Sequence, residues 1–113
     1  MPIQEWSEQI VLADLQDDPQ FTDDINSLLE LVEVRRNVDV VLSLAHVSYV
    51  NSSNVSKLLK LRKVVVRNNE RKLKLCGIST QVWGVFLVTG LDKVFDFADD
   101  VTSALASVQL DAR

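Results

Sequence analysis

The stretch SYVNSSNVSKLLKLRKVVV, residues 48–66, places four small polar residues between a strand-like end and an apolar-and-basic segment. Tyr49 and Val50 favour extended backbone, and residues 51–54 read Asn-Ser-Ser-Asn. Apolar residues then recur at helical spacing, at Val55, Leu58, Leu59 and Val66. The stretch therefore predicts a strand that passes into a helix through a polar loop, a junction for which one capping side chain would suffice.

Similar alternation continues on both sides of this junction. Branched aliphatic runs predict strands at 9–15 and 38–44, the alternation of leucine and lysine predicts a third at 71–77, and a fourth is predicted at 93–97. Helical spacing predicts helices at 22–36, 55–66 and 79–90, and a last helix beginning after Asp99 or Asp100. Strands that alternate with helices predict an α/β domain with a mixed, mostly parallel sheet of about four strands and four helices. Loops at the carboxyl ends of such strands are the usual functional positions, and residues 51–54 form one of them.

Composition excludes several classes of function. The 113 residues carry a net charge of −4, which argues against general nucleic-acid binding. There is no apolar run of membrane-spanning length and no signal-peptide pattern, so we expect no membrane insertion and a cytoplasmic location. Cys76 is the one cysteine and is interpreted as a small core residue, and His46 is interpreted as structural or exposed. No metal-ligand spacing, nucleotide loop or nucleophile motif occurs, so we expect no catalytic residue, no metal and no cofactor.

Two motifs stand out, TGLDKVFDF at residues 89–97 and the loop at residues 51–54. They resemble motifs of STAS domains, the domains of bacterial anti-sigma factor antagonists and of related anion transporters, and TGLDKVFDF is the more specific of the two. The resemblance covers residues 38–107 and implies the STAS fold over a single domain, residues 1–113. The family's leading strand and its upstream Gly-Glu motif have no counterpart, so a domain trimmed at its N-terminal edge is expected.

The resemblance implies that Ser52 is the residue phosphorylated by a serine kinase that is also an anti-sigma factor, with Ser53 as the second choice. The family's aspartate is replaced by Asn51 and its glycine by Asn54. Asn51 lacks the carboxylate charge, which makes Ser52 a poorer kinase substrate if that charge helps the kinase. The alternative is that Ser52 and Ser53 only cap the helix.

Two surfaces are further candidates for contact with a partner. The basic stripe consists of Lys57, Lys60, Lys63 and Arg67, on one face of the predicted second helix. It is either a docking surface for an acidic partner or a solvated face beside the acidic first helix. Trp83 and Leu87 share a helix face and are either an apolar interface, for a partner or a homodimer, or are buried by the last helix.

The resemblance thus implies a non-enzymatic regulatory module that binds a kinase through Asn51–Asn54, Lys57, Lys60 and Lys63. Two alternatives stay open. One is a STAS subunit of a stressosome-like or transporter-associated complex that is never phosphorylated. The other is a domain that binds an anionic small molecule or nucleotide.

Overall fold

The computed structural model describes residues 3–110, which form one five-stranded sheet with helices on both faces. The strands are β1 Ile3–Ser7, β2 Ile10–Gln16, β3 Asp39–His46, β4 Leu73–Cys76 and β5 Asp96–Ala98. The helices are α1 Gln20–Val34, α2 Ser52–Arg62, α3 Thr80–Thr89 and α4 Val101–Leu110. The predicted α/β class with four helices and a mixed sheet is confirmed.

The strands lie side by side in their chain order. β1 is antiparallel to β2, and β2 to β5 are parallel to one another. In the parallel part Val40 is in register with Val11 and with Leu73. The carboxyl ends of β2 and β3 therefore share one edge of the sheet, and the loops that follow them meet there.

β1 is a fifth strand that the sequence did not predict. Only Ile3 is half-buried, and the other four residues of the strand are exposed. An edge strand that buries so little has no alternation of apolar and polar residues to detect. Arg35, just after α1, holds β1 and its turn through an ion pair to Glu5 and a hydrogen bond to the Glu8 carbonyl oxygen.

The core has two parts, one on each face of the sheet. Residues of β3 supply both, because Val40, Leu42 and Leu44 face one side and Val41 faces the other. The larger part packs against α1, α2 and α3, and the smaller part packs against α4. Cys76 lies in the smaller part with no exposed surface, and burial raises the pKa of its thiol to about 11, as expected for an inert core residue.

Several element boundaries differ from prediction. α1 begins at Gln20, after Pro19, rather than at Thr22. α2 ends at Arg62 and continues as a π-helical turn, Lys63–Asn68, instead of a regular helix. Gly90, with φ 76°, ends α3 as predicted, but a short 3₁₀ turn at Leu91–Lys93 delays β5. None of the helices within residues 3–110 combines the length and the apolar character that a membrane crossing requires.

Candidate functional site

Two asparagines form the start of α2. The Asn51 side-chain oxygen accepts a hydrogen bond from the Asn54 backbone N–H at 2.8 Å, and the Asn54 side-chain oxygen accepts one from the Asn51 N–H at 3.0 Å. This reciprocal pair is a capping box built from amides. Ser52 and Ser53 follow as the first two helical residues, so the interpretation of these serines as helix caps is wrong.

Asp18 anchors this cap from the loop after β2. One of its carboxylate oxygens accepts from the Asn54 side-chain nitrogen at 2.9 Å. The other accepts from the Thr22 backbone N–H at 3.0 Å and from the Thr22 hydroxyl at 2.6 Å. Asn54 is 1% exposed, so Asp18 joins the start of α1 to the buried part of the α2 cap.

Asp17 holds the first residue of the segment 48–54, whereas Asp18 holds its last residue. Its carboxylate accepts from the Ser48 backbone N–H at 2.8 Å and also from the Ser48 hydroxyl. The hydrogen bonds from Ser48 lower the pKa of Asp17, and those from Thr22 and then Asn54 lower the pKa of Asp18. Both groups are thus ionised at neutral pH, and together they fix residues 48–54 at two points. From sequence alone, Asp17 and Asp18 before Pro19 indicate only a turn.

The hydroxyls of Ser52 and Ser53 remain available. Both serines are exposed, and neither hydroxyl makes a hydrogen bond to another of residues 3–110. The first turn of a helix carries backbone N–H groups without intrahelical partners and a positive partial charge. The arrangement therefore presents two unused hydroxyls where an added phosphate is electrostatically favourable.

The basic stripe runs along α2 away from this cap. Lys57 donates to the Asn26 side-chain oxygen of α1 at 3.1 Å, whereas Lys60 and Lys63 are exposed. At the far end a groove of about 600 Å³ is lined by Leu59, Arg62, Lys63, Arg67 and Asn68. The loop therefore lies at the N-terminal end of α2, and the lysines and the groove follow along α2 and the π-helical turn.

Trp83 and Leu87 have different surroundings. Trp83 is half-buried and packs edge-to-face on Phe97 of β5, with ring centroids 5.0 Å apart. Leu87 is 51% exposed. The alternative in which the last helix buries both residues is wrong, because α4 packs on the opposite face of the sheet from α3.

The remaining polar groups at this edge offer little chemistry. His46 is the last residue of β3, and its Nδ1 lies 3.3 Å from a carboxylate oxygen of Asp14, with both side chains largely exposed. Within the described chain, residues 3–110, no group of His, Cys, Asp and Glu side chains is arranged to hold a metal ion. The arrangement at this edge is an exposed polar surface on a rigid support.

This geometry defines a small α/β domain that presents a structured loop and helix at the carboxyl edge of its sheet. The family model of the STAS domain matches residues 10–104. The chain belongs to the STAS domain family. The comparison with curated proteins gives no match.

Solved structures show the same fold. An anti-sigma-factor antagonist (STAS) domain protein from Planctomyces limnophilus is 17% identical, with a TM-score of 0.81 over 95% of this chain and 96% of that chain. RsbS of Moorella thermoacetica is 15% identical, with a TM-score of 0.80 over 96% and 93%. The Bacillus cell fate determinant SpoIIAA in its phosphorylated form is 16% identical, with a TM-score of 0.71 over 94% and 96%. The chain therefore has the fold of anti-sigma factor antagonists.

We predict that Asp18→Asn makes the domain less stable at neutral pH and less sensitive to acid. Asparagine keeps one acceptor oxygen and turns an amide donor toward Asn54 or Thr22, so the free energy of unfolding falls by about 1–3 kcal/mol. Because the folded-state pKa of Asp18 is lowered, its contribution is present above the unfolded pKa of about 3.9 and is lost as the pH falls further. Urea unfolding from neutral pH to about pH 3 measures the difference between the two proteins.

The matched control is Asp23→Asn, an exposed aspartate in the first turn of α1. It should leave the free energy of unfolding within about 0.5 kcal/mol of the wild type at neutral pH. If the free energies of unfolding of wild type and Asp18→Asn differed by the same amount across the acid range, the Asp18 carboxylate would not be what stabilises the cap.

Proposed function

We propose that this STAS domain is a non-enzymatic regulatory module whose partner is a serine kinase of the anti-sigma factor type. The surface for that partner is the loop Asn51–Asn54 together with Lys57 and Lys60 of α2 and Lys63 of the π-helical turn. Ser52 is the phosphate acceptor, with Ser53 as the second choice. The proposal takes residues 1–113 as one domain that acts in the cytoplasm without cofactor, metal or nucleic acid.

The observation that carries the proposal is that the residues that cap α2 are different from the serine that α2 exposes. Asn51 and Asn54 make the cap and Asp18 anchors it, so the Ser52 hydroxyl has no structural task within residues 3–110. A hydroxyl that is exposed on a rigid helix end can enter a kinase active site without local unfolding. The proposal is supported by SpoIIAA, a protein of the same fold that has been solved in a phosphorylated form.

Phosphorylation would act on binding rather than on folding. A phosphate adds a charge of about −1.5 to −2, and at the first helical turn that charge meets the positive end of the helix. In the contact with the partner, the same group adds bulk and negative charge to a loop of small, uncharged side chains. An acidic or closely packed partner would then dissociate while the STAS domain remains folded.

The amide of Asn51, in place of a carboxylate, affects how efficiently a kinase would phosphorylate Ser52. It supplies the same cap hydrogen bond that an aspartate would supply, but without the charge. Asp18 brings a carboxylate to the neighbouring Asn54 from a different element, 2.9 Å from the Asn54 side-chain nitrogen. The loop therefore keeps a negative group close to its cap, although not at position 51.

We expect kinase binding to depend on the lysines of α2. Lys60→Glu together with Lys63→Glu should weaken the complex by about tenfold or more at low salt, because two attractive charges become repulsive. The wild-type complex should weaken as ionic strength rises through the physiological range, where the Debye length is about 8 Å. Titration calorimetry of the kinase from the same organism measures both effects.

Asp96→Lys is the control, an exposed charge reversal on β5. Leu87→Glu in the same titration tests the apolar contact that we propose for Leu87 and Trp83 of α3. Wild-type affinity in the Lys60→Glu, Lys63→Glu protein would remove the basic stripe from the binding surface. Binding without any phosphate transfer to Ser52 would favour the subunit of a complex that is not regulated by phosphorylation.

A further inference from the structure

The exposed side of α1 carries only negative charge. We call Asp23, Glu30 and Glu33 the acidic stripe; all three are exposed, and residues 20–34 contain no lysine or arginine. Asn26 and Ser27 are exposed between them. The outward surface of this helix is therefore acidic along its length.

The outward surface of α2 and of the π-helical turn has the opposite character. Lys60, Lys63 and Arg67 of the basic stripe are exposed, and residues 52–68 contain no aspartate or glutamate. The exposed fraction of Leu59, which lies among these cations in the groove, is 38%. This surface is basic with one apolar residue within it.

The two stripes belong to one continuous surface. Near the start of the helices Lys57 donates to Asn26 at 3.1 Å, and near their ends the Asn69 side chain donates to the Val32 carbonyl oxygen at 2.9 Å. A cavity of about 220 Å³ between them is lined by Glu33 from α1 and by Val64 and Asn68 from the π-helical turn. Both helices begin at the carboxyl edge of the parallel sheet, so they run in the same direction.

These charges are not paired with each other inside the chain. Within residues 3–110 the ion pairs join Arg35 to Glu5, Arg71 to Asp39 and His46 to Asp14, and none of them joins α1 to α2. Lys57, the base nearest to α1, contacts an amide instead of a carboxylate. Both stripes are thus available to a partner that carries the complementary pair.

We propose that the partner of this surface is a second copy of the chain. A two-fold axis parallel to α1 and α2, in the contact plane midway between them, lays the acidic stripe of each copy along the basic stripe of the other. The contact is made twice, which matters because a single exposed ion pair contributes little. The homodimer covers the outer face of α2 and so competes with any other protein that binds the basic stripe.

Sedimentation velocity of two complementary variants tests the proposal. The first variant carries Asp23→Lys, Glu30→Lys and Glu33→Lys, and the second carries Lys60→Glu, Lys63→Glu and Arg67→Glu. We expect wild type to form dimers at low salt and to dissociate toward about 1 M salt, where the Debye length is near 3 Å. Each variant alone should dimerise about tenfold more weakly or worse, because each presents two stripes of the same sign.

An equimolar mixture of the two variants should restore the dimer, since one copy is basic on both helices and the other is acidic on both. Asp96→Lys is the control and should sediment as wild type. Circular dichroism confirms that each variant is folded before it is mixed. A wild type that stays monomeric at low salt, or folded variants whose mixture stays monomeric, would overturn the proposal; neither result bears on kinase binding, which the calorimetry measures separately.

Discussion

Phe86→Ala is expected to lower the free energy of unfolding by about 3–5 kcal/mol. Phe86 has no exposed surface and lies edge-on to two rings of the last strand region, with centroids 6.0 Å from Phe95 and 5.5 Å from Phe97. Alanine would leave a cavity where α3 meets the sheet, and the surrounding rings cannot close it without moving β5. Urea denaturation followed by circular dichroism measures the loss.

The next residue supplies the matched control for this substitution. Leu87 is 51% exposed, so Leu87→Ala removes a side chain of similar apolar character from the solvent side of the same helix. Its cost should be below about 1 kcal/mol. Equal losses for the two variants would contradict the packing of α3 described above.

Ser52→Glu is expected to weaken kinase binding without destabilising the domain. The carboxylate imitates part of the phosphate charge, and like-charge contact with an acidic partner costs several kcal/mol, so kinase affinity should fall about tenfold or more. In the isolated domain an acidic residue in the first helical turn stabilises by about 0.3–1 kcal/mol. Calorimetric titration and thermal unfolding of one preparation give both values.

Ser52→Ala is the control for this prediction. It removes the hydroxyl without adding charge, and the cap hydrogen bonds of Asn51 and Asn54 do not involve it. Binding should stay within about twofold of wild type, since no hydrogen bond within residues 3–110 is lost. If Ser52→Glu bound the kinase as tightly as Ser52→Ala, the loop would not form part of the interface.

The elements that the sequence predicts well are those whose burial leaves a periodic pattern. β3 is buried on both faces and appears as the mostly apolar, valine-rich run at 38–44, and α1 repeats Ile25, Leu28, Leu29 and Val32 at helical spacing. β1 leaves no such pattern, because it contributes one half-buried side chain to the core. Its pairing with β2 is decided by backbone hydrogen bonds, which any residue except proline can make.

The sequence predicted where the loop before α2 lies, but not the hydrogen bonds that hold it. Four consecutive residues, Asn51 to Asn54, can all cap a helix, and the choice among them depends on which backbone N–H groups they face. The spacing of Asn51 and Asn54 fits a capping box, which was a usable signal. The contact between Asp18 and Asn54 joins residues 36 positions apart, and no local pattern encodes it.

The most direct test of the account is intact mass spectrometry of the domain after incubation with its kinase and ATP. Three proteins are compared: wild type, Ser52→Ala and Ser53→Ala. If the cap of Asn51, Asn54 and Asp18 leaves Ser52 free for the kinase, wild type and Ser53→Ala gain one phosphoryl group and Ser52→Ala gains none. An unmodified wild type in the presence of an active, bound kinase, or a phosphoryl group that persists in Ser52→Ala, would contradict it.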